Sequence, residues 1–225
     1  MTASKETSPK ENSPARYPRW RRRKEARPGE ILAAALDEFV DRGYAATRLE
    51  DVARRAGVTK GTVYLYFTNK EDLFKAVVRE SFVPELARGE RALAEFTGTS
   101  RELFRELINR WWTALGSSRL SGIPKLMTAE AANFPDLARF YYEEVVKRGH
   151  RLIGAVLQRG VDRGEFREMD VPTTVRLVMA PLMFQLVMKH SFHRCVDDPL
   201  SPPALMERHI EVFLDGIAVR EPKSA

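Results

Sequence analysis

The amino-acid sequence predicts an all-α protein of about nine helices. Apolar residues recur three and four positions apart along most of the chain, which is typical of helices that bury one face. Glycine and proline residues separate these periodic segments, and no segment shows the apolar–polar alternation expected of a β-strand. Hydrophobic residues make up 44% of the 225-residue chain, so we expect a well-filled core.

The composition indicates a cytoplasmic protein without a membrane segment. Cys195 is the single cysteine, which excludes an internal disulfide and favours a reducing compartment. The N-terminal residues are polar and basic and lack the apolar segment of a signal peptide. The longest apolar stretch, Leu177 to Met188, contains Gln185 and is shorter than a membrane-spanning helix.

Positive charge is concentrated near the N-terminus. The chain has a net charge of +6, and residues 16–27 contain seven basic residues and one acidic residue, Glu25. We expect residues 1–24 to form a disordered basic arm, because they are rich in polar residues and lack apolar periodicity. Such an arm can contact the phosphates or the minor groove of DNA, or it can act as a solubilising tail.

Two domains are expected after the arm, over residues 25–72 and residues 73–221. The predicted helices span residues 29–42, 48–56, 60–67, 70–95, 100–116, 123–132, 135–163, 172–194 and 202–219. Pro84 is expected to kink or split the fourth of these helices, because proline removes a backbone hydrogen bond.

The residues between 47 and 67 have the spacing of a helix-turn-helix. Thr47 and Glu50 match the S/T-x-x-E pattern of a capping box, which begins a helix. The next matching positions are Ala53, Gly57 and Val63. A small residue lets two helices approach, glycine tolerates the positive φ angle of the turn, and a β-branched residue packs the second helix on the first. A compact three-helix core would use the same turn and cap residues, and it remains the alternative.

The start of the second short helix suits contact with DNA. Thr59 is expected to cap this helix, and Lys60, Gly61 and Thr62 follow it. In a helix-turn-helix this end enters the major groove, where hydroxyl and ammonium groups donate to base edges or phosphates. Gly61 would let the backbone approach the DNA closely. Further phosphate contacts are expected from Tyr64, Tyr66 and Lys70.

Residues 47–74 read T-x-x-x-x-x-A-x-x-A-G-V-T-K-G-T-V-Y-L-Y-F-x-x-K-E-D-L-F, and the stretch from Gly43 to Phe74 resembles the N-terminal domain of TetR-family regulators. The resemblance implies a dimeric regulator that binds double-stranded operator DNA. It implies DNA contacts from Thr47, Thr59, Lys60, Gly61, Thr62, Tyr64, Tyr66 and Lys70. Arg48 replaces a small hydroxyl residue that is common in the family, and we expect it to add a phosphate contact. Tyr66 stands where the family often has histidine.

The last two predicted helices favour a homodimer. The helix near residues 172–194 is apolar almost all round, and the helix near 202–219 has an apolar face. The chain's own core can cover one side of the first helix, and a second subunit would cover the other. The resemblance implies the same arrangement, since TetR-like regulators pair through a bundle of their last long helices. A buried core helix in a monomer is the alternative.

The middle of the second domain is rich in large side chains that could line a pocket for an apolar or aromatic effector. The candidate ligand-binding residues are Trp111, Trp112, Met127, Glu130, Phe134, Tyr141 and Met183. Aromatic residues at helical spacing more often belong to a core, and Glu130 can anchor a ligand or cap a helix. Residues 126–141 resemble the C-terminal domain of AefR-like members of the family, which does not identify a ligand.

The sequence contains no motif of a nucleophile elbow, a phosphate-binding loop, a dinucleotide site or a zinc protease. We therefore expect no enzymatic activity, no cofactor and no metal site. His190, His193 and Cys195 form a weak zinc pattern, and polar residues that end a helix are the simpler interpretation. The predicted function is a ligand-responsive repressor, with a ligand-independent architectural DNA-binding dimer and a transcriptional activator as alternatives.

Overall fold

The computed structural model describes residues 19–192, 195 and 202–219, and these residues form ten α-helices without a named β-strand. The helices are α1 (Arg19–Ala46), α2 (Leu49–Arg55), α3 (Lys60–Tyr64), α4 (Lys70–Glu95), α5 (Ser100–Trp111), α6 (Gly122–Glu130), α7 (Pro135–Tyr141), α8 (Lys147–Asp162), α9 (Val171–Val187) and α10 (Pro202–Ile217). Short π-helical segments at 112–116, 142–146 and 188–192 extend α5, join α7 to α8 and extend α9. The predicted all-α fold class is confirmed.

Helix α1 begins earlier than the sequence analysis predicts. It starts at Arg19, so the prediction of disorder is wrong for residues 19–24, while residues 1–18 lie outside the described part of the chain. Arginine and lysine are good helix formers, so a basic run can extend a helix that is anchored further along. The helix kinks at Gly43, whose φ angle is 84°, at the predicted end of the regular helix.

Aromatic rings hold α1 against α4 in the first core. The rings of Phe39 and Phe74 pack edge to face with their centroids 5.2 Å apart. Tyr44 contacts both rings, with centroid distances of 5.8 and 5.6 Å. Helices α2 and α3 add the buried Val52 and Val63 to the same core. Tertiary packing therefore stabilises two helices that are too short to be stable alone.

The C-terminal helices enclose a second core. Helices α5, α8, α9 and α10 contribute the fully buried side chains of Phe104, Leu157, Leu182 and Ile210 respectively. The ring of Phe213 in α10 stacks on Phe104 with the centroids 5.1 Å apart. This core fixes the position of α9 and α10 on the rest of the chain.

Helix α4 belongs to both cores and runs through Pro84 without a break. Its first half buries Phe74 and Phe82 in the first core, and its second half places Leu93 against the second. The predicted split at Pro84 is wrong, and the alternative of a kink there stays a prediction. The predicted domain boundary between residues 72 and 73 falls inside α4, and the division into two domains stays a prediction.

Candidate DNA-reading surface and ligand cavity

The turn between α2 and α3 depends on a left-handed glycine. Gly57 has a φ angle of 65°, a conformation that other residues rarely adopt. The amide of Val58 donates to the carbonyl of Ala53 at 2.9 Å, which closes the turn. Ala53 and Val63 are buried in the core that α2 and α3 share. These contacts form the predicted helix-turn-helix.

The start of α3 presents polar groups to solvent. The Thr59 hydroxyl accepts a hydrogen bond from the Thr62 amide at 3.2 Å, as expected of an N-cap. The two hydroxyl oxygens lie 2.9 Å apart. Thr59, Lys60 and Gly61 are exposed, and Thr62 is half-buried. Four of the predicted DNA-contacting residues thus follow one another at one end of one helix.

Lys60 forms an ion pair with Glu50, which lies in the first turn of α2. The hydrogen bond between the two side chains raises the pKa of Lys60 and lowers the pKa of Glu50. The Lys60 ammonium also lies 5.6 Å from the centre of the Tyr64 ring. Lys60 is therefore charged and exposed, and any phosphate that binds it must compete with the carboxylate of Glu50.

Leu65 is an exposed apolar residue beside the predicted contact residues. It is 81% exposed, while Val63 and Phe67 on either side of it are buried. The sequence analysis missed Leu65, although its place midway between two core positions could have identified it. An exposed apolar side chain at this position can contact the methyl group of thymine. We refer to residues 59–62, Tyr64 and Leu65 as the α3 surface.

Thr47 is engaged inside the protein. Its buried hydroxyl donates to the carbonyl of Gly43 at 2.7 Å and to the carbonyl of Glu38 at 3.2 Å. Helix α2 begins after Arg48 and has no side-chain cap, so the predicted capping box at Thr47 is wrong. The predicted DNA contact from the Thr47 hydroxyl is corrected accordingly. Arg48 is exposed, as a phosphate contact requires.

Lys70 also binds within the protein. Its ammonium donates to the carbonyls of Tyr44 at 2.7 Å and Ala45 at 2.9 Å, and it lies 4.6 Å from the centre of the Tyr44 ring. Burial lowers the pKa of Lys70. The structure thus uses this side chain to fix the residues that follow the kink in α1. Tyr66, another predicted contact residue, is half-buried.

An apolar cavity of about 470 Å³ lies between helices α4 to α9. The predicted ligand residues that line it are Trp111, Met127, Tyr141 and Met183. Its volume falls within the range of small-molecule sites. Because native cores are close-packed, an apolar space of this size between the helices is a candidate ligand site.

Three predicted ligand residues lie elsewhere, namely Trp112, Glu130 and Phe134. Trp112 is buried in the core of the C-terminal helices. The ring of Phe134 packs edge to face on Tyr44 with the centroids 4.7 Å apart. The Glu130 carboxylate accepts a hydrogen bond from the amide of Ala45 at 3.4 Å. Glu130 and Phe134 therefore join the C-terminal helices to the first domain, and the prediction of ligand contact is corrected for all three residues.

Arg119 links the turn before α6 to α1. Its Nε lies 3.0 Å from Oδ1 of Asp37, and its Nη2 lies 2.6 Å from Oδ1 of Asp41. Arg55 of α2 binds the same two carboxylates at 3.6 and 2.9 Å. The sequence analysis missed this cluster, because Arg119 is distant in sequence from Asp37 and Asp41 and meets them only in the folded chain.

Lys189, in the extension of α9, holds the same turn. Its ammonium donates to the carbonyls of Gly116 at 2.8 Å and Ser118 at 3.3 Å, and to the Ser121 hydroxyl at 2.9 Å. The Ser121 hydroxyl also lies 2.8 Å from Nε2 of His190. Within the described ranges, no three His, Cys, Asp or Glu side chains group as metal ligands. Of the weak zinc pattern, His190 thus bonds to Ser121, Cys195 is exposed and His193 lies outside those ranges.

Comparison with curated proteins identifies relatives that match between 40% and 68% of this chain. The Bacillus subtilis fatty acid metabolism regulator protein is 26% identical over 154 residues, which cover 68% of this chain and 78% of that protein. The Mycobacterium tuberculosis transcriptional repressor KstR2 is 28% identical over 155 residues, which cover 68% and 76% of the two chains. The Mycolicibacterium smegmatis transcriptional activator FasR is 35% identical over 89 residues, which cover 40% of each chain.

Solved structures show the same fold. The fatty acid degradation regulator FadR from Bacillus halodurans superposes with a TM-score of 0.66 at 25% identity, over 84% of this chain and 94% of that one. KstR2 from Mycobacterium tuberculosis gives a TM-score of 0.67 at 25% identity, over 86% and 96% of the two chains. FadR from Bacillus subtilis in complex with stearoyl-CoA gives a TM-score of 0.67 at 22% identity, over 84% of this chain and 98% of that one.

Family models account for both parts of the chain. The model for bacterial regulatory proteins of the tetR family matches residues 31–77, which contain the helix-turn-helix. The model for the tetracyclin repressor-like C-terminal domain matches residues 94–197, which contain most of the cavity wall. The chain belongs to the TetR family of DNA-binding transcriptional regulators.

Proposed function

We propose that this protein represses transcription by binding a pseudo-palindromic operator as a homodimer, and that it releases the operator when an apolar effector fills the cavity. The apolar cavity of about 470 Å³ carries this proposal. It is lined by Phe82 of α4, the helix that packs on α1 of the DNA-reading domain. A purely architectural DNA-binding protein has no ligand to place in such a space, whereas a ligand-responsive regulator needs one.

The α3 surface is proposed to enter the major groove. The proposed contact residues are Arg48, Thr59, Lys60, Gly61, Thr62, Tyr64, Leu65 and Tyr66. Lys60 and Thr62 would donate to base edges or phosphates, and Leu65 would contact a thymine methyl group. We assign Thr47 and Lys70 to positioning, since their polar atoms bond to the backbone around the kink in α1.

Helices α9 and α10 are proposed to form the dimer interface. Leu177 and Phe184 of α9 are 62% and 59% exposed, and Val212 of α10 is 61% exposed. The helix from Val171 to Phe192 is long and apolar enough to cross a membrane by length and composition, so the expectation of too short an apolar segment is corrected. A DNA-binding regulator acts in the cytoplasm, and we assign this apolar surface to a second copy of the chain.

The effector is proposed to have a long apolar portion, as a fatty acyl thioester has. The apolar lining of the cavity supports this class, and so does the stearoyl-CoA bound to a protein of the same fold. Repression is favoured because KstR2, a relative over most of its length, is named a repressor. The relative FasR is named an activator, so activation is the second candidate. The AefR-like type of C-terminal domain stays a prediction.

Release of the operator would follow if the effector binds two conformations of the dimer with different affinities. The recognition helices of a helix-turn-helix dimer fit successive major grooves about 34–36 Å apart. An effector that binds more tightly to a state with another spacing would shift the population toward it and weaken operator binding.

A salt titration of DNA binding tests the proposal. We would compare DNA flanking the protein's own gene with unrelated DNA of equal length, with and without stearoyl-CoA. One dimer per site, a specificity ratio above about 10³ and weaker binding with the effector are expected. Equal affinity for both DNAs at all salt concentrations would favour the architectural alternative. Transcription from the bound promoter in vitro would separate repression from activation.

A further inference from the structure

The cavity wall contains a polar group that the fold leaves without a partner. Tyr141, at the end of α7, lines the cavity and is 8% exposed. Burial alone raises the pKa of its hydroxyl, and this hydroxyl makes no hydrogen bond to any described residue. Buried hydroxyl groups in native proteins normally have a partner, so the exception needs an explanation.

The Tyr141 hydroxyl is not fully enclosed, and Tyr141 lines the cavity. Of the described residues that are not exposed, only Glu38 has a fully enclosed side-chain polar atom without a hydrogen bond, so the Tyr141 oxygen retains contact with open space. The Tyr141 ring packs edge to face on Phe82, with the centroids 6.0 Å apart. Phe82 lines the same cavity. The ring is therefore held by packing while the hydroxyl is free to bond to a ligand.

The ionisable groups around the cavity do not favour a buried carboxylate. Glu85 is paired with Arg88, and Arg110 is exposed at the edge of the cavity. Burial, reinforced by the charge of Arg176, lowers the pKa of His150, which keeps this side chain neutral at pH 7. An anion inside the cavity would lack a buried cation and would lose its hydration. A neutral oxygen needs only one donor.

From this arrangement we infer that Tyr141 is the specificity-determining donor for an uncharged oxygen on the effector, such as a ketone, ester or thioester carbonyl. The inference rests on the proposed function, because it takes the cavity as the effector site. The apolar lining accommodates the hydrocarbon portion, and Tyr141 sets where along it the oxygen must lie. An ionised group on the same effector stays at the edge, beside Arg110.

Competition against the neutral dye Nile red tests the inference on the full chain. The competitors are dodecane, 2-dodecanone and dodecanoate, which share chain length and differ in oxygen and charge. Tyr141→Phe removes the hydroxyl and keeps the ring on Phe82. Tyr142→Phe is the matched control, since Tyr142 also lines the cavity but is 51% exposed. Thermal melting followed by circular dichroism verifies that both variants are folded.

In the wild type and in Tyr142→Phe, 2-dodecanone should bind about fivefold more tightly than dodecane, as one neutral hydrogen bond predicts. In Tyr141→Phe the two affinities should become equal. Equal affinities in the wild type, or loss of the preference in Tyr142→Phe, would overturn the assignment of Tyr141 and leave the cavity as an effector site. Tighter binding of dodecanoate than of 2-dodecanone would overturn the preference for an uncharged oxygen. A cavity that binds neither Nile red nor any competitor would contradict the proposed function itself.

Discussion

Nη2 of Arg119 lies 2.6 Å from Oδ1 of Asp41, and this contact joins the turn before α6 to α1. Arg55 of α2 binds the other oxygen of the same carboxylate at 2.9 Å. Asp41 therefore receives one cation from the helix-turn-helix and one from the C-terminal domain. The two contacts of Asp41 therefore help to hold the C-terminal part of the chain against the helix-turn-helix.

Replacing Arg119 with alanine should lower the free energy of unfolding at pH 7 by up to about 1 kcal/mol, the range of exposed ion pairs. The Arg119 guanidinium holds the pKa of Asp41 below its ordinary value of 3.8. A carboxylate with a depressed folded-state pKa stabilises the fold above its unfolded-state pKa and loses that effect as the pH falls through the folded-state value. Urea unfolding at pH 7 and pH 3 should therefore show a difference between wild type and Arg119→Ala that shrinks at pH 3.

Lys147→Ala is the control for this experiment, because Lys147 pairs with Glu143 four residues away and joins no two domains. Its effect should be smaller than that of Arg119→Ala at pH 7. A loss of stability in Arg119→Ala that is equal at both pH values would show that packing of the Arg119 side chain, and not its charge, is responsible.

The ion pair between Lys60 and Glu50 should weaken DNA binding by the wild type. Glu50→Gln removes the competing charge, so affinity for any DNA should rise at low salt. Lys60→Ala should weaken binding and reduce the slope of log affinity against log salt by about 1, the share of one phosphate contact. Fluorescence anisotropy over a salt series measures both effects.

The double variant Glu50→Gln, Lys60→Ala separates two explanations. If Glu50 acts only through Lys60, the Glu50 substitution should have a reduced effect once Lys60 is absent. A loss of affinity confined to operator DNA in Glu50→Gln would instead show that Glu50 contacts a base.

Gly57→Ala should destabilise the protein by about 1 kcal/mol through backbone conformation. A Cβ atom at Gly57 would have no heavy atom within 4 Å, so the positive φ angle alone would cause the loss. Gly57→Asn should cost less, because asparagine tolerates this region. Gly61→Ala is the matched control, since its Cβ would make an ordinary contact of 3.8 Å with the Thr59 hydroxyl at a negative φ angle. Thermal unfolding of the three variants measures the order of their stabilities. A Gly61→Ala variant as unstable as Gly57→Ala would contradict this account.

Phe184→Glu should dissociate the dimer, because it places a charge in the proposed interface of α9. Analytical ultracentrifugation should show a folded monomer, and operator affinity should fall steeply since both half-sites are no longer bound together. Leu65→Ala is the matched change on another exposed apolar residue, and it should lower operator affinity while the dimer persists. A dimeric Phe184→Glu protein with unchanged affinity would show that α9 is not the interface.

The periodicity of the sequence predicted the helices well, because the apolar residues of an amphipathic helix recur at the helical period on the face that is buried. Gly57 and Ala53 identified the helix-turn-helix for the same reason, as their roles are local. Thr47 shows the limit of a local pattern. It has the spacing of a cap, yet its hydroxyl bonds back to Gly43, because the packing of the first domain starts α2 one residue later than the capping pattern requires.

The ligand residues were harder to predict, since periodicity indicates that a side chain is buried without indicating its neighbour. Glu130 and Phe134 lie against the first domain and Tyr141 against the cavity, although all three share one stretch of sequence. The basic run at Arg19 was misjudged for another reason. The net charge of a segment indicates its solubility and its binding partners. Whether the segment is helical depends instead on the helix propensity of its residues and on its continuity with the rest of α1.

Helix α4 connects the kink in α1 with the cavity. Lys70, at its start, binds the carbonyls of Tyr44 and Ala45, and Gly89, near its other end, lines the cavity. At 1.5 Å per residue these two points are about 29 Å apart along one continuous rod. Such a rod acts as a lever, and a tilt of about 4° at the cavity end displaces the far end by about 2 Å. That displacement exceeds the distance range of a hydrogen bond, so an effector that tilted α4 by this amount would shift Lys70 and the residues it holds, which is one route to the proposed release of DNA.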